Sequence, residues 1–442
     1  MALHTPAEDS RDGRQRPQMT LILLMMGLFF IGVPVAFSLG IASVLSILFD
    51  PHAANPLFLP LRMMDGIASF ALLAIPFFIL TAELMNTSGI TDRLFTFAQT
   101  LFGHMRGGLG HVNVVASMIF SGMSGSGPAD VAGLGRIEIK AMREAGYDDP
   151  FSASVTAASG VIGPIIPPSI PLVVYGAIAE ESIGKLLLAG AIPGTIMGLA
   201  MMLVVAYRAH QRNYPAEPFP GLVVLAVSFA RAFLSLLTPI ILIGGIIAGI
   251  FTPTEAAIVA ATYALVLSAI VYREMSFAHL VRAFAVAGLE SAKILFILSM
   301  AFVVSFVITS QNAAAEIVTA VSTFVTGPIG FLIFTNGVFL VLGLVFDLMT
   351  AMLIVVPLML EMAKHFGVDL VHYGVVVVVN LMIGAITPPY GVNMFIACDI
   401  AKISMIEFAK ESWPFYVVLV IVLGFITFIP ELSLFLPSLV AL

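Results

Sequence analysis

Charge is what this sequence lacks most. Asp, Glu, Lys and Arg together supply 10% of its 442 residues, against about 25% in soluble domains. Hydrophobic residues supply 60% and the mean hydropathy is +1.08. Too little polar side chain remains to clothe water-facing domains of this length, so the chain is read as an integral membrane protein. A single cysteine, Cys398, excludes a disulfide framework and a thiolate metal cluster. The formal charge of −7 offers no basic excess of the kind that binds nucleic acid. No GxxxxGK[ST] stretch occurs, which excludes nucleotide hydrolysis of the P-loop kind. The strict apolar–polar alternation of a membrane β-barrel is missing too.

What is there is a series of apolar runs, and a spanning helix needs about 20 such residues. Residues 1–18 are polar, carry Arg11, Arg14 and Arg16, and read as a cytoplasmic or disordered extension. The run 19–49 holds no charge but is interrupted at Gly32-Val33-Pro34, which leaves one tilted span or two short ones. It lacks an A-x-A-like end near residue 35, which argues against a cleaved signal peptide. Further spans are expected at 66–84, 109–123, 151–166, 186–207, 232–250, 256–272, 294–308, 329–346, 374–386 and 415–429. Half-span stretches lie between them at 131–145, 170–179, 349–363 and 392–401. Short segments broken by Gly and Pro mark re-entrant or interrupted helices, tolerated only where protein or water shields the backbone. Arg208, Arg212 and Arg231 read as one basic loop, and Arg273 and Arg282 as another. Two spans joined by the tight Phe251-Thr252-Pro253-Thr254 turn separate them, which puts both loops in the cytoplasm.

An internal repeat organises these runs. Shifted by 221 residues, the chain aligns with itself so that Gly122 falls on Gly343, Gly146 on Gly367, Gly163 on Gly384, Pro167-Pro168 on Pro388-Pro389, and Pro193 on Pro414. Gly and Pro set backbone geometry, so these matches carry more than chance Leu or Val matches would. The expected fold is therefore an all-α polytopic membrane protein of two repeats, 19–220 and 221–442. Each has a re-entrant hairpin (near 122–145 and 343–366) and a broken helix (near 151–180 and 374–403). Duplicated broken helices are the sequence mark of a secondary transporter's binding site.

An interrupted helix exposes carbonyls at one broken end and N–H groups at the other. The carbonyl end suits Na⁺ and the N–H end a carboxylate. In the first repeat, Ser159, Gly163, Ile166 and Ser169 flank the Pro-Pro break, opposite a tip of small residues with Gly122, Ser124, Gly125, Ser126 and Gly127. In the second, Asn380, Gly384, Thr387 and Tyr390 surround the break, and Gly343, Asp347 and Thr350 occupy the tip. Asp347 is the sharpest side-chain candidate, because an intramembrane carboxylate is costly unless paired or functional. It is expected to help hold Na⁺ or to couple to H⁺. An organic acid is expected near Ser124, Gly125, Gly127, Thr350, Asn380 and Asn393. Against these readings stands plain close packing by Gly and Ser. Asp130 and Glu255 read as helix-capping residues, and Trp413 and Tyr416 as interfacial anchors.

These stretches resemble a known family. GMSGSGPADVAGLGRIEIKAMREAGYDDPFSASVTAASGVIGPIIPPSIPLVVYG at 122–176, FTPTEAA at 251–257, GLVFDLMTAMLIVVPLM at 343–359 and GAITPPYGVNMF at 384–395 are similar to the large membrane subunit of tripartite ATP-independent periplasmic (TRAP) transporters. The resemblance runs from Met19 to the C-terminus. It implies inverted repeats, a scaffold plus an elevator-type transport domain, and residence in a bacterial inner membrane. It also implies a small four-helix membrane subunit, a periplasmic binding protein that delivers an organic acid, and Na⁺ as coupling ion. One Na⁺ site is implied at Gly343, Gly384, Thr387 and the backbone carbonyl of Tyr390. Through the internal offset, a second falls at Gly122, Gly163, Ile166 and Ser169, with Ser126 and Ser159 nearby.

Two other readings compete. One is a stand-alone carboxylate carrier coupled to Na⁺, or to H⁺ through Asp347. The other is an intramembrane serine protease, because Gly122-Met123-Ser124-Gly125 fits a GxSG pattern; it needs a histidine base within reach. His365 and His372 are expected in a polar loop and His279 in a basic one, which argues against an enzyme.

Overall fold

The computed structural model describes residues 21–440, apart from 22, 30, 50–54, 87–88 and 311–317. The extension 1–18 lies outside the described residues. Among those residues every regular element is helical. Six helices among the described residues are long and apolar enough to span a membrane: Ile183–Arg212, Leu222–Ile247, Pro253–Val271, Phe277–Ser310, Leu348–His365 and Met405–Phe428. A seventh candidate is the pair Phe58–Ile67 and Phe70–Asn86, bent by 56°.

Several helices overrun the charge-free windows expected from the sequence. Leu222–Ile247 starts well before 232 and contains Arg231, which is therefore helical and not part of a loop. Phe277–Ser310 starts well before 294 and takes in Arg282, Glu290 and Lys293. Arg, Lys and Glu are good helix formers, and long side chains near a span's end carry their charge outward to the interface. A charge therefore bounds the hydrocarbon-buried stretch without ending the helix. The early run is interrupted, as Gly32 turns at φ +84 before Val35–Leu48 begins.

The helices recur at the 221-residue offset to within a few residues. Gly108–Ser124 corresponds to Gly327–Gly343, Asp149–Ser159 to the first part of Leu370–Gly384, Ile170–Ala179 to Val392–Ala401, and Ile183–Arg212 to Met405–Phe428. Local chemistry sets these boundaries. Asp148 precedes a first turn holding Pro150, the position where a missing N–H costs nothing. After Ser159 the helix tightens into the single 3₁₀ turn Gly160–Ile162 and then stops, since Pro164, Pro167 and Pro168 supply no N–H for the ladder. Ser169 restarts it by accepting from the Leu172 N–H. In the second half Asp369 caps Leu370–Gly384, and Ser404 with Glu407 forms a capping box on Met405–Phe428. The Pro167–Pro168 and Pro388–Pro389 bonds are both cis.

The chain divides into two compact units. One comprises residues up to 69, 292–331 and 353–368. It packs through rings: Phe37 meets Phe296 edge-on at 5.7 Å, Phe331 stacks on Phe366 at 5.4 Å, and the Arg62 guanidinium lies 5.0 Å over Phe306. The other comprises 70–291, 332–352 and 369–442 and contains both proline breaks. Within it, Arg212 at the end of its span bonds Asp148 (2.9 Å) and Glu411 (2.7 Å). The Tyr214 hydroxyl donates to the same Asp148 carboxylate at 2.8 Å. Burial pushes that hydroxyl up to about 12 against the opposing pull of Arg212, so it stays protonated and able to donate. Beneath the ions, Tyr147 stacks on Tyr214 at 4.4 Å, and Phe151 bridges Tyr214 and Phe415. This cluster joins the start of the first broken helix to a span of the second repeat.

Removing Arg212 leaves Glu411, whose side chain is 10% exposed, facing among the described residues only the more distant Arg208 at 3.7 Å. Arg212→Gln should cost about 1–3 kcal/mol, below the value for a fully buried pair because Arg212 is partly solvated. Thermal unfolding in detergent, with Glu411→Gln completing a double-mutant cycle, reads the coupling.

Candidate functional site

Each break is met by the tip of a hairpin. The first arm, Gly108–Ser124, ends at Gly125 with φ +61, and Ser126 is extended before the return helix Gly127–Gly133. The tip closes on Asp130, whose buried carboxylate accepts from Ser121 Oγ at 3.2 Å and from Ser124 Oγ. Asp130 is therefore no cap; it ties the return helix to the arm. The tip rests directly on the break. A Cβ at Gly125 would lie 3.3 Å from the Ile170 nitrogen, and one at Gly163 would lie 2.6 Å from Asp130 Oδ2 and 3.1 Å from the Gly127 nitrogen. Gly125, Ser126, Gly127 and Gly163 thus form one contact. Gly122 faces Pro239 at 2.9 Å, with the Pro167 carbonyl 3.8 Å away by the same measure.

Side chains around this first break are already engaged. Ser169 Oγ accepts from Leu172 N–H at 3.1 Å and donates to the Pro164 carbonyl. Ser159 faces the hairpin arm, bonding Asn113 Oδ1 (2.8 Å) and Ser117 Oγ (2.9 Å). Ile166 packs against Gly194. What these positions offer a cation is backbone carbonyl, apart from the serine lone pairs.

The second break is built differently. Gly343 and Gly384 touch backbone to backbone: a Cβ on Gly384 would sit 2.5 Å from the Cα, C and O of Gly343. Thr387 Oγ1 donates to Ile383 O at 2.7 Å, keeping its lone pairs free to accept. The loop folds back so that Asn393 N–H reaches Ala385 O at 2.9 Å and Gly391 N–H reaches Thr387 O at 3.2 Å. Tyr416 is not an interfacial anchor: its hydroxyl donates to Ile386 O at 2.8 Å and braces the loop. Tyr390 is 50% exposed, so its ring leaves the site and its carbonyl remains. Asp347 accepts from the Thr350 N–H (3.1 Å) and hydroxyl (2.5 Å), the geometry of a helix cap for Leu348–His365. The two residues meant for ion and acid are thus bonded to each other.

Asn393 crosses between the repeats. Its amide nitrogen lies 3.4 Å from Ala157 O and 3.1 Å from the positions a Cβ would take on Gly127 and on Gly160. Its Oδ1 is buried without a partner among the described residues. Asn380 is bonded elsewhere, through Nδ2 to Asn336 (2.7 Å) and Val376 O (2.9 Å), while its own Oδ1 is likewise unpartnered. Two amide oxygens are therefore available, and an unpaired buried acceptor is costly unless a ligand or water meets it.

Sequence reasoning passed over Glu138. It is 1% exposed and neither carboxylate oxygen has a partner among the described residues. Its spacing was the clue: Val131, Leu134, Glu138 and Met142 form one buried helical stripe, with a carboxylate where a hydrophobe is expected. Asn113, Ser117 and Ser121 were missed as the polar zip along the arm. No group of three or more His, Cys, Asp or Glu able to hold a metal occurs among the described residues. A cation here would meet mainly neutral oxygens, which suits a hard ion better than a transition metal. The protease reading fails on geometry. Ser124 donates to Asp130, and His372, expected in a loop, is buried in Leu370–Gly384 with Nε2 3.3 Å from Thr427 O.

Comparison with known proteins agrees with this architecture. The family profile described as tripartite ATP-independent periplasmic transporter, DctM component, matches residues 22–432. The chain is 40% identical over 414 residues to the sialic acid TRAP transporter large permease protein SiaM of Vibrio cholerae, covering 94% of this chain and 97% of that protein. It is 41% identical over 428 residues to the sialic acid TRAP transporter permease protein SiaT of Haemophilus influenzae, covering 95% and 68%. The C4-dicarboxylate TRAP transporter large permease protein DctM of Vibrio cholerae is 36% identical over 439 residues, covering 95% and 97%. Among solved structures, the YdaH transporter of Alcanivorax borkumensis matches with a TM-score of 0.63 at 13% identity, covering 95% of this chain and 98% of that one; the likeness is one of fold.

The contact at the second break sets two expectations. Gly384→Ala forces backbone apart and should destabilise by about 1–3 kcal/mol, with uptake lost. Gly343→Ala, whose Cβ would stand 3.1 Å from Gly384 Cα, should be milder by the same two assays. Asp347→Asn keeps a good cap and should leave uptake unchanged, whereas Asp347→Ala should cost about 1 kcal/mol of stability.

Proposed function

The chain belongs to the DctM-component family of tripartite ATP-independent periplasmic transporters, and from that premise we propose that it carries an organic acid inward on a Na⁺ gradient. It is a large permease subunit, a multi-pass protein of a bacterial inner membrane, and not an enzyme. The observation that carries the proposal is the pair of interrupted helices, each in backbone-close contact with a hairpin tip. Such breaks expose oppositely polarised chain ends where lipid cannot satisfy them.

In this reading one Na⁺ is held by carbonyls of Gly343, Gly384 and Tyr390 with the hydroxyl of Thr387. The other is held by carbonyls at Gly122, Gly163 and Ile166, with Ser126, Ser159 and Ser169 close by. The acid's carboxylate is met by N–H groups at the small tip residues, and its hydroxyl or amide donors by the free Oδ1 of Asn393. Asp347 and Thr350 act through the cap that positions the second tip. A periplasmic binding protein delivers the acid, a small membrane subunit assembles with the chain, and the segment carrying both breaks moves in an elevator-type step. The names of the relatives support a carboxylate: sialic acids and C4-dicarboxylates both bear one.

Proteoliposomes test this. Uptake of labelled sialic acid or C4-dicarboxylate should require the chain, its small subunit and its binding protein together, and should vanish when choline replaces external Na⁺ at fixed pH. Uptake by the chain alone would defeat the tripartite reading, and uptake in choline would defeat Na⁺ coupling. Thr387→Ala should raise the half-saturating Na⁺ concentration roughly fivefold, the equivalent of about 1 kcal/mol for one lost oxygen contact, with a smaller change in maximal rate.

A further inference from the structure

Away from both breaks, a cavity of about 670 Å³ opens between the helix Ile90–Phe102 and the first turns of Leu222–Ile247. Its charges are two of each sign: Arg93 and Arg231, Asp92 and Glu274. Most polar groups in it are committed. Arg93 forms a double bond pair with Glu274 (2.6 and 3.2 Å) and lies 3.9 Å over the Tyr272 ring. The Thr100 and Ser228 hydroxyls bond each other at 2.6 Å and also contact the carbonyls of Phe97 and Leu225.

Two charges are left over. Among the described residues Arg231 has no carboxylate and Asp92 no cation within the 4.0 Å of an ion pair. Val224 and Val227 supply an apolar wall, and Leu222 and Val223 beside them are 75% and 77% exposed on an apolar span. The lining runs from the first turns of Leu222–Ile247 to Glu274, just beyond the end of Pro253–Val271, so the cavity lies by the ends of two apolar spans. A groove there with a free cation, a free anion and a greasy wall has the chemistry of a lipid site at the membrane surface.

We propose that this cavity is a phospholipid headgroup site, with the phosphate on Arg231, the ammonium of an ethanolamine headgroup at Asp92, and an acyl chain along Val224 and Val227. Charge balance selects the zwitterion. The lining is neutral as a whole, and an ethanolamine lipid satisfies both unpaired groups. A glycerol headgroup carries no cation and leaves Asp92 facing a net anion.

Native mass spectrometry of the full chain in mild detergent, supplemented with ethanolamine or glycerol phospholipid of equal chain length, tests the site. Wild type should retain one ethanolamine lipid, and inorganic phosphate should not displace it. Arg231→Ala should reduce retention roughly tenfold, the equivalent of one charge-assisted contact. Asp92→Asn should erase the preference for ethanolamine over glycerol. An unchanged thermal transition for Arg231→Ala shows the loss to be local. Equal retention by Arg231→Ala, equal retention of both lipids by wild type, or displacement by inorganic phosphate would overturn the proposal. So would loss of the lipid on co-expression with the small membrane subunit, which would assign the surface to protein.

Discussion

Inside hydrocarbon a peptide N–H or carbonyl finds no water, and each one left bare costs several kcal/mol. Breaking a helix at that depth is therefore possible only if something else meets the freed groups. In this protein the breaks at Pro167–Pro168 and Pro388–Pro389 are met by hairpin tips, and the hairpins exist to bring those tips in. Small residues at 125, 127, 163, 343 and 384 follow from the same constraint, since backbone must approach backbone. So does the closing of the second loop by Asn393, Gly391 and Tyr416, each supplying a donor to a carbonyl the helix no longer satisfies.

The repeats share this plan but seal it by different means. The first hairpin is zipped by side chains, with Asn113, Ser117 and Ser121 along its arm and Ser124 bonded to Asp130 at its tip. At the 221-residue offset their counterparts are Phe334, Val338, Leu342, Val345 and Ala351, which can form no such bonds. The second tip relies on the Gly343–Gly384 contact and on the Asp347–Thr350 cap; its polar link, Asn336 to Asn380, lies farther down the helix. Accordingly the first break is almost wholly buried, while Pro389 and Tyr390 at the second are exposed. A duplicated fold has become one tightly tied junction and one looser one.

Much of this could be read without coordinates. Membrane class, repeat offset, both hairpins and both breaks follow from Gly, Pro and apolar run length, because these act through local backbone geometry and transfer energy. The short helices Ile170–Ala179 and Val392–Ala401 sit on the stretches expected for them, as proline on one side and a capping serine or glycine bound them locally. Longer helices were cut short because a charge in the sequence resembles the end of a span, whereas Arg231 and Arg282 lie within helices.

Side-chain roles were another matter. Asp347, Ser159 and Asn380 have the right chemistry for a ligand in the sequence, and each spends at least part of its bonding capacity on a neighbour. Tyr416 resembled a surface anchor and braces a broken loop; Glu138, set in an otherwise apolar stripe, is buried without a partner among the described residues. Composition, span and repeat were determined by the sequence alone, since they depend on residues near one another in the chain. Which oxygens stay free for an ion or an acid was decided only by tertiary structure. For Ser159 and Asn393 that choice depends on partners 46 and 236 positions away, Asn113 and Ala157, and no local pattern encodes a distance of that kind; Asp347, capped by Thr350 three positions on, is the local exception.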